Sequence, residues 1–184
     1  MASAPGATHD RSMRLALFAT CTVLAGGCGV TDFDISQDVP EQQIAGSPLP
    51  GPLGALFPIP LSLDLSAEIA KRDSGPIDSV TLSGLSLAIT ATDRPGGDAD
   101  DWGFVAEIHV FVKSSAQGST LPRVEIASAR QPGAVTTLEF DVDTGVNLKP
   151  YVDEGSIVEG SGSGDAPADD VSYDGKGVFT VHPL

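Results

Sequence analysis

The chain has 184 residues and a formal net charge of −15, with 25 acidic side chains against 10 basic ones. The basic residues are scattered, whereas binding to a phosphate backbone needs them clustered, so the composition excludes a nucleic-acid-binding protein. An apolar fraction of 41% excludes a disordered acidic tail. The 21 glycines and 14 prolines favour a turn-rich β protein over a helix bundle.

The strongest sequence signal lies in the first thirty residues. Arg14 precedes an uncharged run over residues 15–25, which leads into Gly26, Gly27 and Cys28. A secretory signal peptide consists of a basic start, an apolar stretch of about 7–15 residues and small residues before the cleavage site. The run is shorter than the roughly 20 residues that a membrane-spanning helix needs. The pattern therefore predicts an N-terminal signal helix that is removed, over residues 1–27.

The end of this segment resembles the lipobox, the processing site of bacterial lipoproteins. In that family a cysteine after small residues receives a diacylglycerol before the signal is cut off. The resemblance implies that Gly27 is the last residue removed and that Cys28 attaches the chain to a membrane through its lipid. Ala25 stands where the family favours leucine, and Leu24 lies one place further out. The location it implies is the bacterial cell envelope, at the outer rather than the inner membrane.

An alternative interpretation of the N-terminus is an apolar helix or strand with a buried cysteine. The pair Gly26-Gly27 argues against it, because glycines break a helix. If the chain is a lipoprotein, Cys21 is removed with the signal peptide and the sulfur of Cys28 becomes a thioether. No free thiol or disulfide is then expected in residues 28–184. Residues 1–27 hold two arginines and one aspartate, so the mature charge would be −16. The sequence leaves open whether Met1 or Met13 is the true start.

Alternation of apolar and polar residues predicts about eight short strands after residue 30. The predicted strands cover residues 31–35, 61–69, 79–92, 103–113, 123–127, 136–142, 156–159 and 177–181. A change of parity at Ser83 and Gly84 predicts a β-bulge, since one extra residue switches the side that later side chains face. Without a long amphipathic helix, the pattern predicts an all-β fold, a two-sheet antiparallel β-sandwich of immunoglobulin-like type.

The predicted organisation after the signal is a single domain. Residues 28–60 would form a lipid-anchored strand followed by a loop with five prolines between residues 46 and 60, packed on the domain. Residues 61–184 would supply the remainder, with a flexible surface loop over residues 160–170. In the strand 103–113 the side chains expected to be buried are Phe104, Ala106, Ile108, Val110 and Val112. Those expected to be exposed are Glu107, His109 and Lys113.

Two short sequence segments, residues 121–127 and 141–152, are similar to segments of uncharacterised β-sandwich lipoproteins of the bacterial envelope. That resemblance implies the same fold, and no activity comes with it.

Catalysis would need a histidine beside a nucleophile and an orienting group. His9 leaves with the signal, which leaves His109 and His182. No Gly-x-Ser-x-Gly elbow occurs, and the alternating glycines and serines of residues 160–164 lack the strand-to-helix context that the elbow requires. Both histidines are therefore interpreted as surface residues, and the chain is predicted not to be an enzyme.

Two acidic segments could begin a calcium loop, because carboxylates two residues apart can converge on one cation. They comprise Asp98, Asp100 and Asp101 before Trp102, and Asp141 with Asp143. Neither supplies a complete ligand set, so a solvated surface is the preferred interpretation, with no metal or cofactor expected. Trp102 is a candidate sugar-binding platform or, alternatively, a core anchor.

The function predicted from these observations is a lipid-anchored envelope lipoprotein with a non-catalytic structural or binding β-sandwich. Its expected partner is the membrane, through the lipid on Cys28, and no protein or carbohydrate partner can be assigned. The first alternative is a calcium-assisted ligand-binding or adhesion module that uses the loop around Trp102. The second is a small envelope hydrolase.

Overall fold

The computed structural model describes residues 31–47, 49, 51–53, 65–72, 75–91 and 99–184. Over these residues the chain forms eight strands, two short helices and one 3-10 turn. The strands are β1 (Phe33–Ile44), β2 (Ile77–Thr90), β3 (Val105–Ser114), β4 (Val124–Arg130), β5 (Thr137–Glu139), β6 (Asp141–Val142), β7 (Ser156–Gly164) and β8 (Val171–Pro183). The helices are α1 (Ser66–Ala70) and α2 (Lys149–Glu154), and the turn is Trp102–Phe104.

The strands form two antiparallel four-stranded sheets around a shared hydrophobic core. Sheet I has the order β1-β8-β2-β5, and sheet II has the order β6-β4-β3-β7. Phe140 separates β5 from β6; its side chain is buried and its N–H donates to the carbonyl of Leu85. The chain changes sheet at this residue, so the single strand predicted over residues 136–142 is divided. The prediction of a two-sheet antiparallel β-sandwich is confirmed.

The bulge predicted in β2 is present. Pairing with β8 shifts register between Leu82 and Gly84, which leaves Ser83 as the extra residue. Side chains on either side of it then point into the same core despite their different parity. The buried residues are Val80 and Leu82 before the bulge, and Leu85 and Leu87 after it.

The predicted facing of β3 is correct for most of the strand and wrong at its start. Ile108, Val110 and Val112 are fully buried. Ala106 is exposed, Phe104 is half-buried in the turn before the strand, and Val105 takes the buried position. The pairing with β7 shifts register between Val105 and Glu107. A bulge at Ala106 therefore reverses the parity that unbroken alternation would give.

The strand predicted over residues 61–69 is not found in its described part, because residues 66–70 form α1. Leu65 is fully buried and Ile69 packs against the core, while Ala67 is exposed. Residues four apart lie on the same face of a helix, so Leu65 and Ile69 fit a helical turn as well as an alternating strand. Residues 61–64 lie outside the described residues.

The flexible loop predicted over residues 160–170 is wrong in its first half. β7 continues to Gly164, with Gly160 opposite Val110 and Gly162 opposite Ile108. Hydrogen bonding to β3 stabilises this glycine-rich segment as a strand, although its own propensity is low. Described parts of the proline-rich segment are packed on the domain, since the Leu53 N–H donates to the carbonyl of Gly164 at 2.9 Å.

The sandwich has two ends. Phe33 at the start of β1 lies opposite Val181, and Ile77 at the start of β2 lies opposite Pro183. Both helices belong to this end, which we call the proximal end. The opposite end, called distal, contains the Trp102 turn and the end of β7. The predicted signal peptide (1–27), the cleavage site at Gly27 and the lipid site at Cys28 lie outside the described residues.

Candidate functional site

Side chains on the outer face of sheet II form a contiguous group that we call the His109 cluster. Because alternate residues of β3 face outwards, the strand presents His109 and Phe111 on this surface. In the neighbouring strands, Glu125 of β4 and Glu159 of β7 both lie opposite Phe111. The members of the cluster are Glu107, His109, Phe111, Lys113, Arg123, Glu125 and Glu159.

His109 is held between two carboxylates. Its Nε2 lies 3.4 Å from Glu107 Oε2, and its Nδ1 lies 3.1 Å from Glu125 Oε2. The side chain is 22% exposed, so it is a surface residue, as predicted, but a partly covered one. Ser128 and Ser161 occupy the adjacent positions in the neighbouring strands. Since both ring nitrogens contact carboxylates, this arrangement does not offer a base to either hydroxyl.

Phe111 forms the apolar centre of the cluster. The guanidinium carbon of Arg123 lies 3.4 Å from the ring centroid, and the imidazole of His109 stacks on the ring at 6.2 Å. Arg123 also contacts Glu159, with Nε and Oε2 3.2 Å apart. A planar guanidinium can stack on an aromatic ring and pair with a carboxylate at the same time. The arrangement therefore fixes an arginine and an aromatic ring together on the surface.

Glu159 accepts from two cations. Hydrogen bonding from Lys113, with a smaller contribution from Arg123, lowers the pKa of Glu159 below its usual value, although partial burial opposes the shift. The carboxylate consequently stays ionised in mildly acidic solution. It links β7 to Lys113 of β3 and to Arg123, the residue that precedes β4.

His182, near the end of β8, is the other predicted surface histidine. Its Nδ1 lies 2.9 Å from Asp32 Oδ2, and its side chain is 34% exposed. His182 belongs to β8 in sheet I, whereas His109 belongs to β3 in sheet II. The two histidines therefore lie on different sheets.

In the described parts of the two acidic segments, carboxylates accept hydrogen bonds from nearby backbone N–H groups. Asp98 lies outside the described residues, and the Asp101 carboxylate accepts from the N–H of Gly103 at 2.8 Å as a cap of the Trp102 turn. Asp143 accepts from Gly145 N–H in the same way, at 2.9 Å. Among the described residues, no three Asp, Glu, His or Cys side chains are placed to hold a metal ion.

Asp141 and Asp143 are exposed, as predicted for the outer face of a strand. With Glu125 and Ser128 they border a shallow open groove of about 530 Å³ at the β4–β6 edge. The groove adjoins the His109 cluster and extends that surface with acidic and hydroxyl groups.

Trp102 is a core anchor. Its side chain is fully buried, stacked on Phe104 at 5.9 Å and in edge contact with Tyr173 at 5.5 Å. Burial also raises the pKa of Tyr173 well above its usual range. A side chain that stacks on a sugar needs an exposed ring. Trp102 is buried, so the sugar-binding hypothesis for this residue is wrong.

The proximal end carries a second groove, of about 290 Å³, between α1 and α2. Most of its lining is aliphatic, and Lys149 and Asp153 of α2 form a charged pair there, with Nζ and Oδ2 2.5 Å apart. The aliphatic residues are Ile69, Ala70, Ile77, Val80 and Val152. No helix within the described ranges is long and apolar enough to cross a membrane.

Comparisons with known proteins give no family. No family model matches the sequence, and no curated protein matches it significantly. Among solved structures, the chain is similar to the decameric BFDV capsid protein, with a TM-score of 0.40 and 11% identity over 82% of this chain and 96% of that chain. A similarity of this size carries no argument about function.

The contacts of Phe111 with Arg123 and of Glu159 with Lys113 were not predicted from the sequence. A usable signal was present, because charged and aromatic residues alternate along residues 107–113 and again at Arg123 and Glu125. The register of β3 against β4 and β7, which brings these residues together, is not a local property of the sequence.

Proposed function

We propose that the chain is a lipid-anchored lipoprotein of the bacterial cell envelope whose β-sandwich acts without catalysis, as a structural or binding module. The observation that carries the proposal is the succession of Arg14, the apolar run 15–25 and the small residues before Cys28. Cys28 receives the lipid, and Gly27 is the last residue of the removed signal.

The position of β1 supports this assignment. The strand begins at Phe33, five residues after Cys28, and pairs with β8 from that point. A signal ending at Gly27 therefore leaves every strand of both sheets in the mature protein. The described strands all begin after this cleavage site.

The His109 cluster is the surface that we assign to binding. Aromatic and arginine side chains are enriched at the centres of protein interfaces, and Phe111 and Arg123 are in contact on an open sheet face. The hydrolase alternative gains no support from His109, whose two nitrogens contact Glu107 and Glu125. The calcium-assisted alternative used the loop around Trp102 for binding, and the Trp102 side chain is buried.

Metabolic labelling with a fatty-acid analogue tests the lipoprotein assignment. The full chain is expressed in a bacterium, and labelling is compared with that of Cys28→Ser and Cys21→Ser. We expect Cys28→Ser to abolish labelling and leave an unprocessed precursor, and Cys21→Ser to leave both labelling and processing unchanged. Label that follows Cys21, or that is absent from the unmodified chain, would overturn the proposal.

A further inference from the structure

The proposed anchor places one end of the sandwich close to the bilayer. Only four residues lie between Cys28 and Phe33 in β1, which makes five residue-to-residue steps, and an extended chain spans at most about 3.3–3.6 Å per step. The tether is therefore at most about 18 Å long. This inference rests on the proposed function, because it takes Cys28 as the lipidated residue.

An exposed apolar side chain, Leu184, lies at the proximal end near the α1–α2 groove. Leu184 is 77% exposed, and its N–H donates to the carbonyl of Pro76 at 2.9 Å, which holds it against the sheet. Ile77 follows Pro76 and lines the groove. The guanidinium of Arg72 lies 5.1 Å from the Phe33 ring centroid, which ties the end of α1 to the start of β1. This apolar surface and Phe33, the first strand residue after the proposed anchor, thus lie at the same end of the domain.

Two ion pairs lie on the helices of this end. Lys149 pairs with Asp153, and Lys71 pairs with Glu68 at 2.5 Å. The mature charge of −16 would repel an anionic surface. A headgroup that carries both an ammonium and a phosphate complements the Lys149–Asp153 pair, with the phosphate at Lys149 and the ammonium at Asp153.

We propose that the proximal end is a membrane-contact surface and that the α1–α2 groove binds one zwitterionic phospholipid. Lys149 and Asp153 contact its headgroup, and the first acyl carbons pack on Ile69, Ile77 and Val152. The contact orients the sandwich so that its long axis points away from the bilayer. The outer face of sheet II, with the His109 cluster, is then roughly perpendicular to the membrane plane and accessible to a partner.

Fluorescence quenching by nitroxide-labelled lipids tests the orientation. The full chain, isolated from bacterial membranes, is reconstituted in phosphatidylethanolamine–phosphatidylcholine vesicles with a fluorophore on either Leu184→Cys or Ser163→Cys. With Cys28 acylated and Cys21 removed, the introduced cysteine is the only thiol. Ser163 is exposed and lies at the distal end. We expect several-fold stronger quenching at residue 184 than at residue 163.

Lipid retained after gentle detergent extraction tests the groove. We expect the unmodified chain to retain phosphatidylethanolamine. The amount retained by Lys149→Glu should be several-fold lower. Lys176→Glu is the matched control, since it makes the same charge change at an exposed position of β8 and should retain the lipid. If Lys149→Glu fails to fold, Val152→Phe fills the groove without changing its charge and should also lose the lipid.

The outcomes separate this inference from the proposed function. A mass spectrum without acyl groups on Cys28 overturns both. Acylated Cys28 with equal quenching at the two labelled positions overturns the membrane contact alone. Equal retention of phosphatidylethanolamine by Lys149→Glu and Lys176→Glu, or stronger retention of phosphatidylglycerol, overturns the lipid site.

Discussion

The outer faces of the two sheets are built by the same alternation and carry different side chains. On sheet I, exposed Ser36 lies opposite Val178, and the Thr180 hydroxyl donates to Asp34 at 2.7 Å. Sheet II presents the His109 cluster, whose long and aromatic side chains contact one another across three strands. Alternation decides which residues face out, and strand register decides whether they meet.

The inner faces show no such difference. Leu87 in sheet I and Ile108 in sheet II are both fully buried in one continuous core. The distinction between the sheets is therefore confined to the solvent side. We therefore expect substitutions on the outer face of sheet II to cost less stability than substitutions in the core.

The largest effect is expected for truncation of either inner face. Ile108→Ala and Leu87→Ala should each lower the free energy of unfolding by about 2–5 kcal/mol, through lost burial and the cavity that remains. His109→Ala, on the outer face beside Ile108, should change it by about 0.5 kcal/mol or less. Urea denaturation followed by circular dichroism measures all three. A loss for His109→Ala as large as that for Ile108→Ala would show that the outer cluster is part of the core.

An intermediate effect is expected on the outer face of sheet II. Arg123→Ala should lower the free energy of unfolding by about 0.5–1 kcal/mol, because it removes an exposed cation–π contact with Phe111. The ion pair with Glu159 adds little at such a site. A double-mutant cycle with Phe111→Ala isolates the contact, and the coupling should account for most of the Arg123→Ala loss.

Lys176→Ala on sheet I is the matched control for that cycle. Lys176 is exposed and lies opposite Asp38 and Ser86, so the change should stay within about 0.5 kcal/mol. Equal losses for Arg123→Ala and Lys176→Ala would remove the contrast between the two faces.

The smallest expected effect is on how stability depends on pH, through the carboxylate of Glu159. Because the pKa of Glu159 is lower in the folded protein than its usual value of about 4.3, its ionised form adds stability above that pH, and this contribution is lost as the pH falls through the folded pKa. Glu159→Gln should therefore be less stable than the unmodified chain at pH 7, and the difference should shrink towards pH 3. Urea denaturation at both pH values measures it. In a Lys113→Met background the pH dependence should weaken, and an unchanged dependence would assign it to another carboxylate.

The signal and lipobox residues, from Arg14 to Cys28, are a linear pattern that a sequence shows without a fold. Their assignment remains a prediction that lipid labelling can test. The His109 cluster is the opposite case, since His109 and Glu125 are sixteen positions apart. The sequence predicted that His109 faces outwards but could not place Glu125 against its ring.

The sequence alone determined the β class and the bulge at Ser83, because burial of alternate residues is a local constraint that each strand obeys. It also determined the inward facing of Ile108 and Val112. Only the tertiary structure decided that the chain changes sheet at Phe140, that residues 66–70 coil into α1, and that a bulge at Ala106 reverses the start of β3. Each depends on which distant segment supplies the hydrogen bonds and the apolar surface, and short stretches of sequence do not encode that choice.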